Sequence, residues 1–263
     1  MPAKRLLMNL PDHSDDNLPI LSAADMLAYR WRAGRAPKSP PPQTVIVCYQ
    51  RDPIATLLKR YRTTRVEGFL GELQVLKTKR SSIGVLHSIG PGAPIVAATV
   101  EELIAFGVKQ FIAIGLAGSL QPDLFPGDVV ICDRALRDEG TSPHYLPPAR
   151  SVEADPVSTQ RLSEALSRHG IAHTIGSSWT TDAPYRETRH EVEAYRADGV
   201  KTVEMEAAAL FAVGQSLNVQ AAAVLVIGDR LADLSWQPAA DPQPLRHSLS
   251  RVIEATVDWL SRE

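Results

Sequence analysis

The chain has 263 residues, 44% of them hydrophobic and 22% charged, with a formal net charge of −2. That length fits one large α/β domain or two small ones, and the apolar content supplies a core. The near-neutral balance gives no electrostatic case for nucleic acid or an anionic membrane, no apolar run approaches the ~20 residues of a membrane span, and the N-terminal residues lack the apolar core of a signal peptide, so a cytoplasmic protein is the expectation.

Residues 1–43 differ from the rest. Lys4-Arg5 is followed by Pro11 and the acids Asp12, Asp15 and Asp16; Ser22 is placed to cap a short helix from Ala23 to Trp31, and Gly34 to Pro42 is basic and proline-rich, as an extended linker would be. We read this segment as an arm packed on the body or on a neighbouring subunit, and residues 44–263 as one domain. Val45 to Tyr49 is a continuous apolar run, suited to a strand covered on both faces. Gln50 to Pro53 is a turn and Ile54 to Tyr61 a short helix. Gly68 to Leu76 and Ile83 to Ser88 read as strands. The Gly/Pro loop Ile89 to Pro94, containing Gly90, leads into a helix from Ile95 to Phe106. Phe111 to Ile114 is a buried strand and Gly115 to Ser119 a second glycine loop, which includes Ala117 and Gly118.

Arg134 to Arg150 reads as a long loop in which His144 is a surface residue rather than a catalyst. Val157 to His169 is an amphipathic helix stopped by Gly170, Thr174 to Trp179 a strand and Glu187 to Tyr195 a helix. Gln220 to Ile227 is an apolar strand ending in Gly228-Asp229-Arg230, and Leu245 to Leu260 a closing amphipathic helix. Both cysteines, Cys48 and Cys132, fall in buried strands, where small hydrophobes are expected and neither a disulfide nor a metal site is. No ligand constellation for a metal is visible, and no cofactor is called for.

The chemistry concentrates in Val203-Glu204-Met205-Glu206-Ala207-Ala208-Ala209, where the strand end Thr202-Val203 hands over to a helix from Ala207 to Leu217. Such junctions, at the carboxyl ends of strands, are where open α/β sheets bind ligands. Glu206 offers two acceptor oxygens to a vicinal diol such as that of a ribose, and Met205 a polarisable thioether to a flat face. The structural alternative is that acids simply suit a helix N-terminus. Asp229 ends a buried strand, where burial raises a carboxyl toward the working range of a general acid; a helix cap or an ion pair with Arg230 is its structural alternative.

Val-Glu-Met-Glu-Ala-Ala resembles the signature of the nucleoside phosphorylase family, which holds purine nucleoside phosphorylases, uridine phosphorylases and adenosylhomocysteine-type nucleosidases. The two glycine loops, Phe125-Pro126-Gly127-Asp128-Val129-Val130 and Thr180-Thr181-Asp182-Ala183-Pro184-Tyr185 extend the resemblance over residues 44–262. It implies a phosphorylase-type three-layer α/β sandwich, with a mixed, partly barrel-like central sheet flanked by helices. It also implies a ribose site at Glu204, Met205 and Glu206, a base pocket at Ala117, Gly118, Thr181 and Arg230, and Asp229 serving the leaving base. Asp229 matches the purine-cleaving members and Arg230 a base-contacting Arg of uridine phosphorylases, so the two give mixed cues about the base. The pyrimidine-reading Gln and Arg of the family correspond here to Thr188 and the segment Arg189-His190.

The resemblance departs at the nucleophile. The family grips phosphate with a Pro-Gly-Asp-Pro-x-Arg loop, which reads here Gln50-Arg51-Asp52-Pro53-Ile54-Ala55, and with an Arg and a Ser/Thr near the second glycine loop, where Ala113 and Leu116 stand. Hydrolytic members use a Glu at the place of Pro53, with Asp52 adjacent here. Arg51, Arg65 and Gly90 are the candidates for a rebuilt phosphate site. The expected activity is ribosyl transfer from a nucleoside to phosphate as co-substrate, in purine or pyrimidine salvage; hydrolysis and binding without turnover remain alternatives. The resemblance further implies a homo-oligomer built from dimers, up to a hexamer.

Overall fold

The architecture is set by strands whose successive residues face two different helical layers. The computed structural model describes residues 19–78 and 80–262; the acidic cluster and Lys4-Arg5 of the expected arm lie outside the described residues. In β1 (Thr44–Cys48) every residue is buried. Val45 and Val47 pack into one core and Ile46 and Cys48 into the other, the alternation that a doubly covered strand requires. Around it lie β2 (Thr63–Val66), β3 (Glu72–Lys77), β4 (Ser82–His87), β5 (Gln110–Ser119), β6 (Val129–Asp138), β7 (Ser151–Glu153), β8 (Thr174–Thr181), β9 (Thr202–Glu204), β10 (Gln220–Arg230) and β11 (Gln237–Pro238).

The sheet runs β11-β10-β6-β8-β9-β5-β1-β4-β3-β2, and a further pairing of β10 with β5 closes β5, β10, β6, β8 and β9 into a five-stranded ring. This is the mixed, partly barrel-like sheet that the family resemblance implies. Helices α1 (Ala23–Arg32), α2 (Arg51–Leu58), α3 (Ala93–Phe106), α4 (Pro156–Arg168), α5 (Arg189–Ala197), α6 (Ala207–Ser216) and α7 (Gln243–Leu260) flank it. One core lies against α3 and α6, the other against α2, α4 and α7. Helix α1 is capped by Ser22 in a capping box with Asp25 and packs on α3, where Arg30 makes two 2.8 Å bonds to Glu102.

Three local expectations need correction. Gly115 to Ser119 is not a loop but the second half of β5, paired with β10 and, at its end, with β9. Ring closure crowds this strand: a Cβ on Gly118 would lie 2.6 Å from Leu231 and 3.1 Å from Val203. Glycine is here a packing residue rather than a turn former. Arg134 to Asp138, expected in a loop, continue β6, paired with β8 and β7. The expected strand from Gly68 is a hairpin: β2 ends at Val66, and Gly68 and Gly71, with φ of 99° and 78°, turn the chain into β3.

Candidate active site

Strands β5, β9 and β10 end together and open a cleft of about 570 Å³. Ala117, Gly118, Glu204, Met205 and Asp229 line it, joined by Leu116, Tyr185, Glu187, Arg189 and Trp236. Five of the residues expected at the site therefore meet at one place. Helix α6 explains how the Glu-Met-Glu segment is held. It is buried along Ala207 to Gly214, so the unpaired N–H groups of its first turn have no water to turn to.

Glu204, 6% exposed, meets those donors. Its Oε2 accepts from the N–H of Glu206 at 2.8 Å and of Ala207 at 2.7 Å. Its Oε1 accepts from Thr180 Oγ1 at 2.5 Å and Ser178 Oγ at 3.5 Å. Thr180 Oγ1 in turn accepts from the N–H of Ala208 at 3.0 Å.

Glu206 occupies the N-cap position and is 9% exposed. Its Oε1 accepts from the N–H of Gly92 at 2.6 Å. Gly92 has φ 112° and is itself the N-cap of α3, so the Gly/Pro loop is tied to the Glu-Met-Glu segment by one backbone donor. Burial, then the neighbouring Glu204, pushes the Glu206 carboxyl up to about 8. Burial pushes Glu204 up as well, while its hydrogen bonds pull it down. Four donors aimed at one carboxylate favour its ionised form, so within the pair Glu204 is the better placed to carry charge and Glu206 to keep a proton.

Asp229 follows a register shift between Ile227 and Asp229 on β10. Its Oδ1 lies 3.5 Å from where a Cβ on Gly118 would be, and its Oδ2 accepts from Trp236 Nε1 at 2.7 Å. Burial raises its pKa, and the Trp236 bond opposes that shift. Glu187 is pushed up to about 7 by burial first and by Asp229 next. The cleft thus holds two carboxyls with a raised affinity for protons, Asp229 at a strand end and Glu187 just ahead of α5.

Other expected residues lie elsewhere. Thr181 is buried at the end of β8, and its Oγ1 accepts from the N–H of Ala183 at 3.2 Å. Arg230 turns from the cleft; its guanidinium stacks 4.5 Å above Phe125 and donates to the Pro122 carbonyl at 3.2 Å. Arg51 opens α2 and donates from Nε to Ser88 Oγ at 3.0 Å. With Leu116 it lines a second cavity of about 330 Å³. Arg65 is exposed on β2, and Gly90, at φ 82°, is exposed in its loop. Arg189, which the resemblance sets at the place of the family's pyrimidine-reading Arg, lines the cleft, whereas sequence reasoning misses Glu187 and Trp236 because they sit in or beside irregular segments whose direction only the fold supplies. His144 is exposed. Cys48 and Cys132 are buried and free. Among the described residues no cluster of three or more His, Cys, Asp or Glu could hold a metal, and no helix is long and apolar enough to cross a membrane.

Comparison with known proteins agrees with this geometry. The family model described as the phosphorylase superfamily matches residues 53–256. A uridine phosphorylase of Treponema pallidum is 35% identical over 151 residues, 53% of this chain and 58% of its own length. A guanosine phosphorylase of Halorubrum lacusprofundi is 30% identical over 176 residues, 65% of this chain and 73% of its own. The crystal structure of a uridine phosphorylase from Vibrio fischeri superposes with a TM-score of 0.76 at 23% identity, covering 85% of this chain and 93% of its own. The match thus spans little more than half the length of the first of these relatives. The chain belongs to the phosphorylase superfamily, within the nucleoside phosphorylase family of pentosyltransferases.

Proposed function

We propose that this protein cleaves the N-glycosidic bond of a nucleoside and transfers the ribosyl group to phosphate, with phosphate held weakly at a rebuilt site. The observation that carries the reading is the pairing, within one strand-end cleft, of the Glu204-Met205 wall with the raised carboxyl of Asp229. Met205 lies under the sugar, Glu206 reaches its hydroxyls, and Glu204 holds both in place by capping α6. Ala117 and Gly118 floor the base pocket. Asp229, protonated, donates to the departing base as the anomeric carbon gains positive character. Gly118 lets that carboxyl approach, and Trp236 fixes its orientation.

The phosphate end supports the weak-binding part of the reading. Ala55, Ala113 and Leu116 bring no donor, and Arg51 is the cation that the β1–α2 junction offers in exchange. A dianion needs charge-assisted donors, and a branched apolar side chain beside it disfavours its desolvation. The same observation favours a second reading, hydrolysis with Asp52 as the base. By the family resemblance the active form is a homo-oligomer built from dimers, with a hexamer as the expected size. Incubation with uridine, guanosine, inosine and adenosine, with and without phosphate, tests the reading by base release and by whether ribose 1-phosphate or free ribose forms. Ribose formed at a phosphate-independent rate selects hydrolysis. Binding without release of any base removes the catalytic reading.

A further inference from the structure

One buried polar group beside this site has no structural work to do. The hydroxyl of Tyr49 is buried and has no hydrogen-bond partner among the described residues. Buried hydroxyls are nearly always paired, because an unpaired one keeps the cost of leaving water. A group left in this state beside a ligand cleft is the sign of a partner that arrives with the ligand.

The fold shows where that partner would be. Tyr49 follows β1, and one edge of its ring lies against Gly115: a Cβ there would be 3.3 Å from Cδ2 and 3.6 Å from Cε2. Gly115 and Ala117 share one face of β5, since side chains alternate along a strand, and Ala117 is part of the cleft floor. Tyr49 therefore stands one strand step inward of the floor, on its own face. His87, whose Nε2 is also unpartnered, pairs in register with Cys48 and projects with it to the opposite face of the sheet, so it belongs to a different environment.

The charges acting on the Tyr49 hydroxyl come first from Glu206 and then from Glu204. A position flanked by two buried carboxyls, one of them holding its proton, is unsuited to a phosphate dianion and suits a neutral group that both donates and accepts. The base end of the cleft is at Gly118 and Asp229, whose Cα positions pair across β5 and β10, so the end walled by Glu204 and Met205, with Glu206 and Tyr49 just behind that lining, is the sugar end. Burial and the two carboxyls hold the phenol far above its usual range, which keeps it a neutral O–H.

We propose that Tyr49 is a sugar-binding residue that sets specificity, its hydroxyl hydrogen-bonding a ribose hydroxyl alongside Glu206. This rests on the nucleoside reading above and adds to it a residue from outside the Glu-Met-Glu segment. It makes the protein select ribonucleosides over deoxyribonucleosides through two elements, α6 and the β1–α2 loop, rather than one.

The test is Tyr49→Phe in the full chain. Thermal unfolding is measured together with calorimetric binding of uridine, guanosine, inosine and adenosine and their 2′-deoxy and 3′-deoxy counterparts. The expected result is a melting temperature equal to or above that of the wild type, because the lost hydroxyl satisfied nothing. Ribonucleoside affinity should fall about tenfold, with less than a twofold change for the deoxy analogue that lacks the contacted hydroxyl. Equal loss for all sugars, or no loss for any, overturns the proposal while wild-type binding keeps the nucleoside reading intact. A lower melting temperature with unchanged sugar preference overturns it too, by showing that the hydroxyl has a structural partner. If the wild type binds none of the panel, the nucleoside reading itself fails and Tyr49 falls with it. Glu206→Ala alone and with Tyr49→Phe checks the shared ligand: effects on ribonucleoside binding that are less than additive support a common sugar, and strict additivity counts against it.

Discussion

The two ends of the strand-end crevice are built on opposite principles. At the β9–α6 junction, two carboxyls are buried without a cation and held by backbone N–H groups and hydroxyls. At the β1–α2 junction the charged side chains, Arg51 and Asp52, are exposed, and the less exposed positions around them are Ile54, Ala113, Leu116 and His87, which shares Ser88 Oγ with Arg51. The first end resists change, because both Glu204 oxygens complete the hydrogen bonding of other buried groups. The second tolerates it, because an exposed guanidinium costs little to add or remove. That contrast fits the proposed reading, in which the sugar side of the family's signature is kept and the phosphate side is rebuilt.

The largest test of the contrast is Glu204→Ala. It strips the acceptor from the N–H groups of Glu206 and Ala207 and from two hydroxyls in a fully buried setting. We expect a loss on the order of 3 kcal/mol in urea unfolding, against less than about 0.5 kcal/mol for Arg51→Ala on the exposed side. Similar losses for the two variants would erase the distinction. Next is Asp229→Asn, which should lower kcat by about a hundredfold or more, since a positioned general acid contributes on that scale. Nucleoside binding should stay within a few-fold, because the proton is needed chiefly in the transition state. Activity of the wild type should also decline as pH rises through the raised pKa of Asp229, and that limb should be missing from the variant.

Glu206 comes third. Its carboxyl ionises at about 8 in the fold against an ordinary 4.5. The folded chain therefore holds a proton that the unfolded chain has released, and stability falls as pH rises from about 4.5 to about 8. Glu206→Gln, which imitates the protonated group, should flatten that slope in chemical unfolding measured across the window. A slope equal to that of the wild type would assign the effect to another group. The smallest expected effect is at Leu116. Leu116→Ser returns one hydroxyl to the phosphate end and should tighten phosphate by about 1 kcal/mol or less, a few-fold in Kd by titration calorimetry. No gain, or wild-type phosphate binding already in the micromolar range, would show that the anion is held by groups away from Arg51 and Leu116.

Most of this crevice is legible in the sequence because its residues lie next to one another along the chain. Glu204, Met205 and Glu206 form one segment whose wording resembles the family signature, and Asp229 ends an apolar run that reads as a buried strand. What is not legible is anything created by ring closure. The pairing of β10 with β5 turns an apparent glycine loop into a strand and brings Gly118 against Asp229. It also leaves Arg230 beyond the register shift, stacked on Phe125 instead of facing the cleft. Tyr49 reads as the last residue of an apolar strand, and only its position over Gly115 marks it as anything more. Gly68 and Gly71 do not read as a hairpin turn because β2, with Thr63, Thr64 and Arg65, has too few apolar residues to register as a strand.

The closure of β5, β10, β6, β8 and β9 into a ring has a consequence for how the site can breathe. A closed ring has no free edge from which to peel, so amides in its middle can reach solvent only when the ring itself comes apart. Leu225 to Ile227, just before Asp229, pair with β5 on one side, and Leu225 and Val226 pair with β6 on the other. In deuterium these amides should be among the last to exchange, whereas β2, the final strand on the open side of the sheet, should label early. Asp229, the proposed acid, thus follows backbone that is paired on both sides, and the adjustment that admits and releases a ligand is expected from Tyr185, Trp236 and the irregular segments that carry them.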